Sequence, residues 1–339
     1  MSTPPSLCNL PNELAIRIFN RVGLKSILNL RKVCRDLRIR IDDIKPEINL
    51  INVNIDVTNS KIRFMNSEIQ TNVEDSKILR SAKVEYEKTV ESGRSIVRCN
   101  GSEKIVNDDF LKLASRDLQL ILKFQKKMIE SISIRNGTEY SSHFLQFLEN
   151  LWSFLAFEDR LLKVHNVQIY TIDQKSAITA LSLIDPQSIY CILLCEQGRG
   201  IQSMEFSEII EMEHWKTAKR FVSNFTITGV SAYNFRHFAR IDVKFQSISA
   251  EYLLDLKKIF QNSSKADDFI IQYETFEDRV QCLQKMGPSI TFNYGLDWYF
   301  RTSTTDDDVL WIKLAESIKL VKFHRCPVND VPEDAMIQN

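Results

Sequence analysis

Across the first forty-odd residues the apolar positions fall at helical intervals. Leu14, Ala15, Ile18, Phe19 and Val22 recur at spacings of one, three and four, which predicts one broad apolar helix face. Pro11 sits where a helix can begin, because its missing N–H would be an orphan there anyway. Glu13 falls in the first turn, where a negative charge suits the helix dipole. Gly23 is placed to end this helix and Ser26 to cap the next. In the second stretch Ile27, Leu30, Cys34, Leu37 and Ile41 follow at threes and fours, with Leu24, Leu28 and Val33 off that line. Lys45-Pro46 stops the helical pattern. Chains below about 40 residues rarely sustain a core without disulfides, metal or a partner. This segment has no pattern for either bond or metal. Its surplus apolar surface must therefore rest on the body of the chain or on another protein.

Beyond Pro46 the period changes to two. Residues 48–57 and 61–66 predict two strands that pair as a hairpin. Residues 67–110 are polar and say little, except that 91–104 reads as a strand end running into a turn at Asn100-Gly101. From Asp109 onward helix and strand alternate. Helices are expected over 109–132, 143–162, 174–184, 206–225 and 250–260. Strands are expected from Val167 and Asp268, and within 188–195, 226–230, 240–245, 289–294, 298–302 and 317–324. Asp306-Asp307-Asp308 reads as the N-terminal cap of a helix containing Trp311.

Strand-helix-strand units in series usually build parallel sheets. A doubly wound sheet would need glycine-rich turns at its ligand site, and the chain has only nine glycines. The fold expected is mixed α/β. A three-helix N-terminal segment is followed by an irregular, leucine-rich-repeat-like α/β solenoid with a long concave or lateral surface for protein contact.

Composition narrows the chemistry. The 44 Lys and Arg are balanced by 44 Asp and Glu, so the phosphate-driven binding of a basic domain is not expected. The basic clusters at 125–127 and 215–220 read as solvated faces. The first residues carry no secretory pattern, and the longest apolar block, 189–195, falls far short of the ~20 residues a membrane helix needs. An intracellular protein of the cytoplasm or nucleus is expected, with no membrane contact. Seven cysteines, without a Cys-x-x-Cys pair, read as reduced and mostly buried thiols. The sequons at Asn100, Asn136, Asn224 and Asn262 are expected to stay unmodified. No phosphate loop, dinucleotide fingerprint, nucleophile elbow or His-Glu-x-x-His motif occurs, and Gly198 to Gly200 is too short to cradle phosphate. His143, His165, His214 and His324 lack a Ser, Cys or Asp partner at a telling spacing. A binding module is expected, with no cofactor or metal. An enzyme assembled from residues distant in sequence is the rival.

The N-terminal segment resembles an F-box. The residues that carry the resemblance are Leu10-Pro11, Glu13-Leu14, Ile18, Leu24, Leu28, Leu30-Arg31, Val33-Cys34-Arg35 and Leu37. It departs from the family where Gly23 stands for a frequent Pro and Leu37 for a frequent Trp. The resemblance implies docking on a small Skp-type adaptor and, through it, a cullin scaffold. The contacts it implies are Leu10, Pro11, Leu14, Ile18, Leu28, Leu30, Val33 and Cys34. Residues 208–221 resemble the signature of the FTH domain, through Trp215-Lys216 and Ala218-Lys219, followed by Phe235, His237 and Phe238 and by 252–260. Helical spacing puts Ile209, Met212, Trp215, Ala218, Val222 and Phe225 on one stripe, so Trp215 reads as core and His237 as a satisfied interior histidine. The domains expected are an F-box at 6–46, a strand-containing connector or opening repeats at 47–110, an FTH-like α/β repeat domain at 111–326 and a tail at 327–339. The function implied is a substrate-recruiting adaptor of a ubiquitin ligase with an unknown protein substrate. The alternative is an interaction scaffold that binds the adaptor without ubiquitination.

Overall fold

The computed structural model describes residues 7–71, 77–90, 93–99, 101–137, 142–198, 203–292, 295–303 and 307–338. The chain divides into two units. One comprises Met1–Tyr170 with Thr179–Ser188, the other Thr171–Ile178 with Ile189–Asn339.

The first unit opens with three helices, α1 (Asn12–Arg21), α2 (Leu24–Val33) and α3 (Arg35–Ile44). Pro11 occupies the N-cap of α1, with Glu13 in the first turn. The cap of α2 falls on Gly23 and not on Ser26, whose N–H is already bonded to the Gly23 carbonyl at 2.9 Å. The second apolar run is also broken at Cys34, which turns extended and caps α3 with its sulfur 3.4 Å from the Leu37 N–H. A large, mostly sheet α/β body follows the helices.

β1 (Leu50–Val57) and β2 (Lys61–Thr71) form the expected hairpin. β3 (Lys77–Lys88), β4 (Ser95–Cys99) and β5 (Ser102–Val106) extend it as an antiparallel meander. The β4–β5 turn holds Gly101 at φ 85°, a left-handed conformation that glycine adopts freely; Asn100 lies outside the described residues. On its other edge β1 pairs in parallel with β6 (Ile129–Asn136), and β6 with β7 (Val164–Thr171). α4 (Phe110–Lys123) and α5 (Ser142–Phe157) make the crossovers. The Asp109 carboxylate caps α4 by accepting the N–H groups of Leu111 and Lys112. α4 stops well short of residue 132. Ile132, Ile134 and Asn136 are buried at every second position of a strand that pairs with β1 and β7, and that period of two outweighs the helical spacing.

In the second unit α6 (Gln174–Leu181) precedes β8 (Cys191–Glu196) and β9 (Ser203–Glu205); α6 itself is shared between the two units. The helix expected over 206–225 does not form. A single-turn 3-10 element and the short α7 (Glu213–Thr217) give way to β10 (Arg220–Thr228). Phe221, Ser223, Phe225 and Ile227 alternate inward from β10, which pairs with strands on both edges. Alternation won because those backbone groups need ladder partners once buried. β11 (Arg240–Ile248), α8 (Ala250–Asn262) and β12 (Asp268–Phe276) follow. After α9 (Arg279–Met286) come β13 (Ile290–Phe292), β14 (Gly295–Arg301), β15 (Asp308–Ala315), β16 (Leu320–Pro327) and β17 (Ile337–Gln338). β8 and β9 share one edge of β10, and β10, β11 and β12 run parallel. From β12 the order continues antiparallel through β16, β15 and β14 to β13.

Trp311 is therefore on a strand and not on a helix. Asp308 opens β15, Asp307 precedes it and Asp306 lies outside the described residues. Neither strand order closes into a barrel among the described residues. The cysteines correct another expectation, since only Cys191 and Cys282 are buried and Cys34 and Cys99 are exposed.

Candidate functional site

The three N-terminal helices bury one half of their apolar surface. Ala15, Phe19, Leu24, Ile27, Leu37 and Ile41 are all at most 3% exposed. The helices are locked by the Arg31 guanidinium, which donates to both Asp42 oxygens at 2.9 and 2.8 Å and so ties α2 to α3. Arg40 straps the leading segment to α3 by donating to the carbonyls of Cys8 and Leu10. The Asn20 side chain accepts the Glu47 N–H at 2.9 Å, which fixes the exit toward β1.

The other half is bare. Leu14 is 46% exposed, Ile18 36% and Val33 70%. Pro11 and Cys34 are exposed as well, while Leu10, Leu28 and Leu30 are half-buried. The cause lies in the helix period. Ala15 and Phe19 form the inward stripe of α1, and Leu14 and Ile18 form its shoulder one residue earlier. Three further apolar side chains, Leu7, Ile16 and Ile39, are exposed on the same segment. Sequence reading missed them, although Ile16 breaks the inward spacing visibly. Leu28 differs from the rest because it lines a cleft between the helices and the sheet.

The FTH-like residues have a different fate. Trp215 is 1% exposed and packs on Phe221 at 4.6 Å between ring centroids, edge-on to Phe238 at 5.0 Å, and beside Phe235 at 5.7 Å. Its indole N–H donates to the Asn234 carbonyl at 3.2 Å. His237 lies 2.7 Å from the Trp215 carbonyl through Nε2, and burial pushes its pKa below the ordinary value. The ring is thus a neutral donor that closes the motif on itself.

The His324 Nδ1 lies 3.2 Å from Asp268, which also takes Lys322 at 3.1 Å across the paired strands β12 and β16. Among the described residues no group of three or more His, Cys, Asp and Glu side chains is placed to hold a metal ion. No helix among them is long and apolar enough to cross a membrane.

Residues 7–49 match the F-box domain family, and residues 145–282 match the FTH domain family. The chain is similar to F-box A protein 224 of Caenorhabditis elegans, 22% identical over 293 residues that cover 84% of this chain and 71% of that one. No solved structure matches. An F-box domain in general suggests the substrate adaptor of a Skp-cullin ubiquitin ligase. The chain is an F-box protein that carries an FTH domain.

Proposed function

We propose that the bare flank of α1 and α2 docks a Skp-type adaptor and that the α/β body holds a protein substrate for ubiquitination. One observation carries this reading: Pro11, Leu14, Ile18, Val33 and Cys34 stand exposed on helices whose opposite faces are sealed. Burying an aliphatic side chain stabilises by about 1.5–3 kcal/mol, so a few such anchors suffice for the centre of an interface. Leu10 and Leu30 would flank that centre. The chain itself would contribute proximity, while catalysis belongs to other subunits. The body is read as an irregular leucine-rich-repeat-like stack. Its support is that β6 and β7, and then β10, β11 and β12, are parallel neighbours in chain order.

The test is co-purification of adaptor and cullin with the full chain, against the variant Leu14→Ala with Ile18→Ala. The expected result is capture of both partners by the natural sequence and loss of both by the variant, whose circular dichroism and melting stay unchanged. Equal capture by the two proteins would remove the flank from the interface. Capture of adaptor without cullin would favour the scaffold role.

A further inference from the structure

In the unit that holds the F-box helices, one face of β2–β4 is incompletely covered. Phe64 and Tyr86 are buried on it, stacked with centroids 5.8 Å apart, and the Tyr86 hydroxyl donates to Asp117 of α4 at 2.8 Å. Beside them a cleft of about 600 Å³ opens, a volume in the range of ligand sites. Its wall is apolar, formed by Leu28, Val84, Val97, Leu120 and Phe154, all half-buried. Its rim is cationic. Arg31 and Lys32 stand on α2, Arg38 on α3, and Arg116 and Lys123 on α4, against the single carboxylate Asp117. In a chain with equal numbers of acidic and basic residues this is a local excess.

Part of that charge is already matched. Arg31 is clamped by Asp42, and Arg116 lies 3.7 Å from Asp108 and 3.9 Å from Asp117. Lys32, Arg38 and Lys123 have no carboxylate partner among the described residues. They also surround the apolar wall from separate helices. Arg116 and Lys123 alone are seven residues apart, about 10 Å along α4. A single anionic head group would engage one side of such a rim. A chain with negative charges on both sides of an apolar anchor would engage it all.

We propose that this cleft is the substrate groove, and that it takes a peptide segment with one large apolar side chain flanked on both sides by Asp or Glu. This rests on the reading of the chain as a substrate-recruiting subunit. The groove and the adaptor flank are separable on α2. Leu28 and Lys32 share one face, and Val33 lies about 100° round the helix from Lys32.

The probe is a fluorescein-labelled nine-residue peptide with a central Phe flanked by Asp and Glu, titrated by fluorescence anisotropy against the full chain. Controls replace the flanks with Lys or the Phe with Ala. The expected result is saturable binding of the acidic peptide and none of the Lys-flanked one. Affinity should fall at least about tenfold for Lys32→Glu with Lys123→Glu, and similarly as salt rises from about 50 mM to about 500 mM. The same charge-reversed protein should still capture the adaptor. Leu14→Ala with Ile18→Ala should lose the adaptor and keep the peptide. Equal binding of Lys-flanked peptides, indifference to the charge reversal, or absence of peptide binding would overturn the proposal. Binding of dodecanoate with no binding of the acidic peptide would overturn it too, and would reassign the cleft to amphiphilic anions. Loss of the peptide result alone leaves the adaptor reading standing. Loss of the adaptor result alone leaves a peptide groove without a ligase.

Discussion

The shoulder of α1 and the Trp215 cluster start from similar material and end differently. Both place large apolar side chains at spacings of three and four in the sequence. Around Trp215 the following strand folds back, so Phe221 on β10 and Phe235 and Phe238 beyond it surround the indole. The FTH-like residues thus act as a core. In α1 the inward stripe of Ala15 and Phe19 is sealed, but none of the described residues covers Leu14 and Ile18 to the same degree. Apolar side chains left outside a finished core point to an interface. The contrast separates residues that hold the fold from residues that the proposed adaptor interface would cover.

Four measurements would break or sharpen that contrast. The largest effect is expected for Trp215→Ala, which should cost about 3–5 kcal/mol of stability in chemical denaturation. Adaptor capture below the melting temperature should persist. A marginal loss of stability would mean that the cluster is no core. Leu14→Ala with Ile18→Ala should do the opposite, weakening adaptor affinity by about 30- to 1000-fold, or about 2–4 kcal/mol, in calorimetry. A drop in melting temperature of this variant would place those side chains in the fold after all. Asp42→Ala removes the carboxylate that pairs with the half-buried Arg31. It should destabilise by about 1–3 kcal/mol and loosen α2 against α3, seen as faster amide exchange in both helices. The smallest effect concerns pH. His237 is held neutral in the folded chain, with a pKa below the ordinary 6.5. Below that pH the unfolded chain binds the extra proton, so stability is full above it and declines as pH falls. Melting followed from about pH 7.5 to about pH 5.5 should slope downward, and His237→Gln should flatten the slope.

Charge tells a second story about the sheet. On β2–β5 the acidic and basic side chains interleave across strands, with Lys61 3.5 Å from Glu87 and Arg98 2.8 Å from Glu103. Arg98 also bonds Glu87 and holds that carboxyl below its usual range. β5 is the edge of this meander, and its exposed Glu103 and Lys104 discourage pairing with another chain. The cleft described above opens instead beside the apolar side chains Phe64, Val84 and Val97.

Much of the N-terminal segment is legible in the sequence alone. Pro11, the apolar spacing of α1 and the stop at Lys45-Pro46 all act through neighbours a few residues away. So does the hairpin of β1 and β2, where alternation and a short turn agree. Legibility failed where two periods fit one stretch. Residues 206–225 carry a helical stripe and, from Phe221, a strand alternation as well; only pairing with β8, β9 and β11 decided between them. Trp311 differs from the expectation for another reason: the acidic run before it looks like a helix cap, and only pairing with β14 and β16 makes the segment a strand.

What the sequence determined by itself was the surplus: more apolar helix surface near the N-terminus than so short a segment could hide, and no charge, metal or nucleophile pattern to suggest chemistry. What only the tertiary structure decided was which half of that surplus is spent. It also decided that Leu28, Val97, Lys123 and Phe154, far apart in the chain, meet around one cleft. Periodicity records which face of an element is apolar, because that depends on residues one turn away. It carries no record of what packs against that face, because the covering atoms come from elsewhere in the chain.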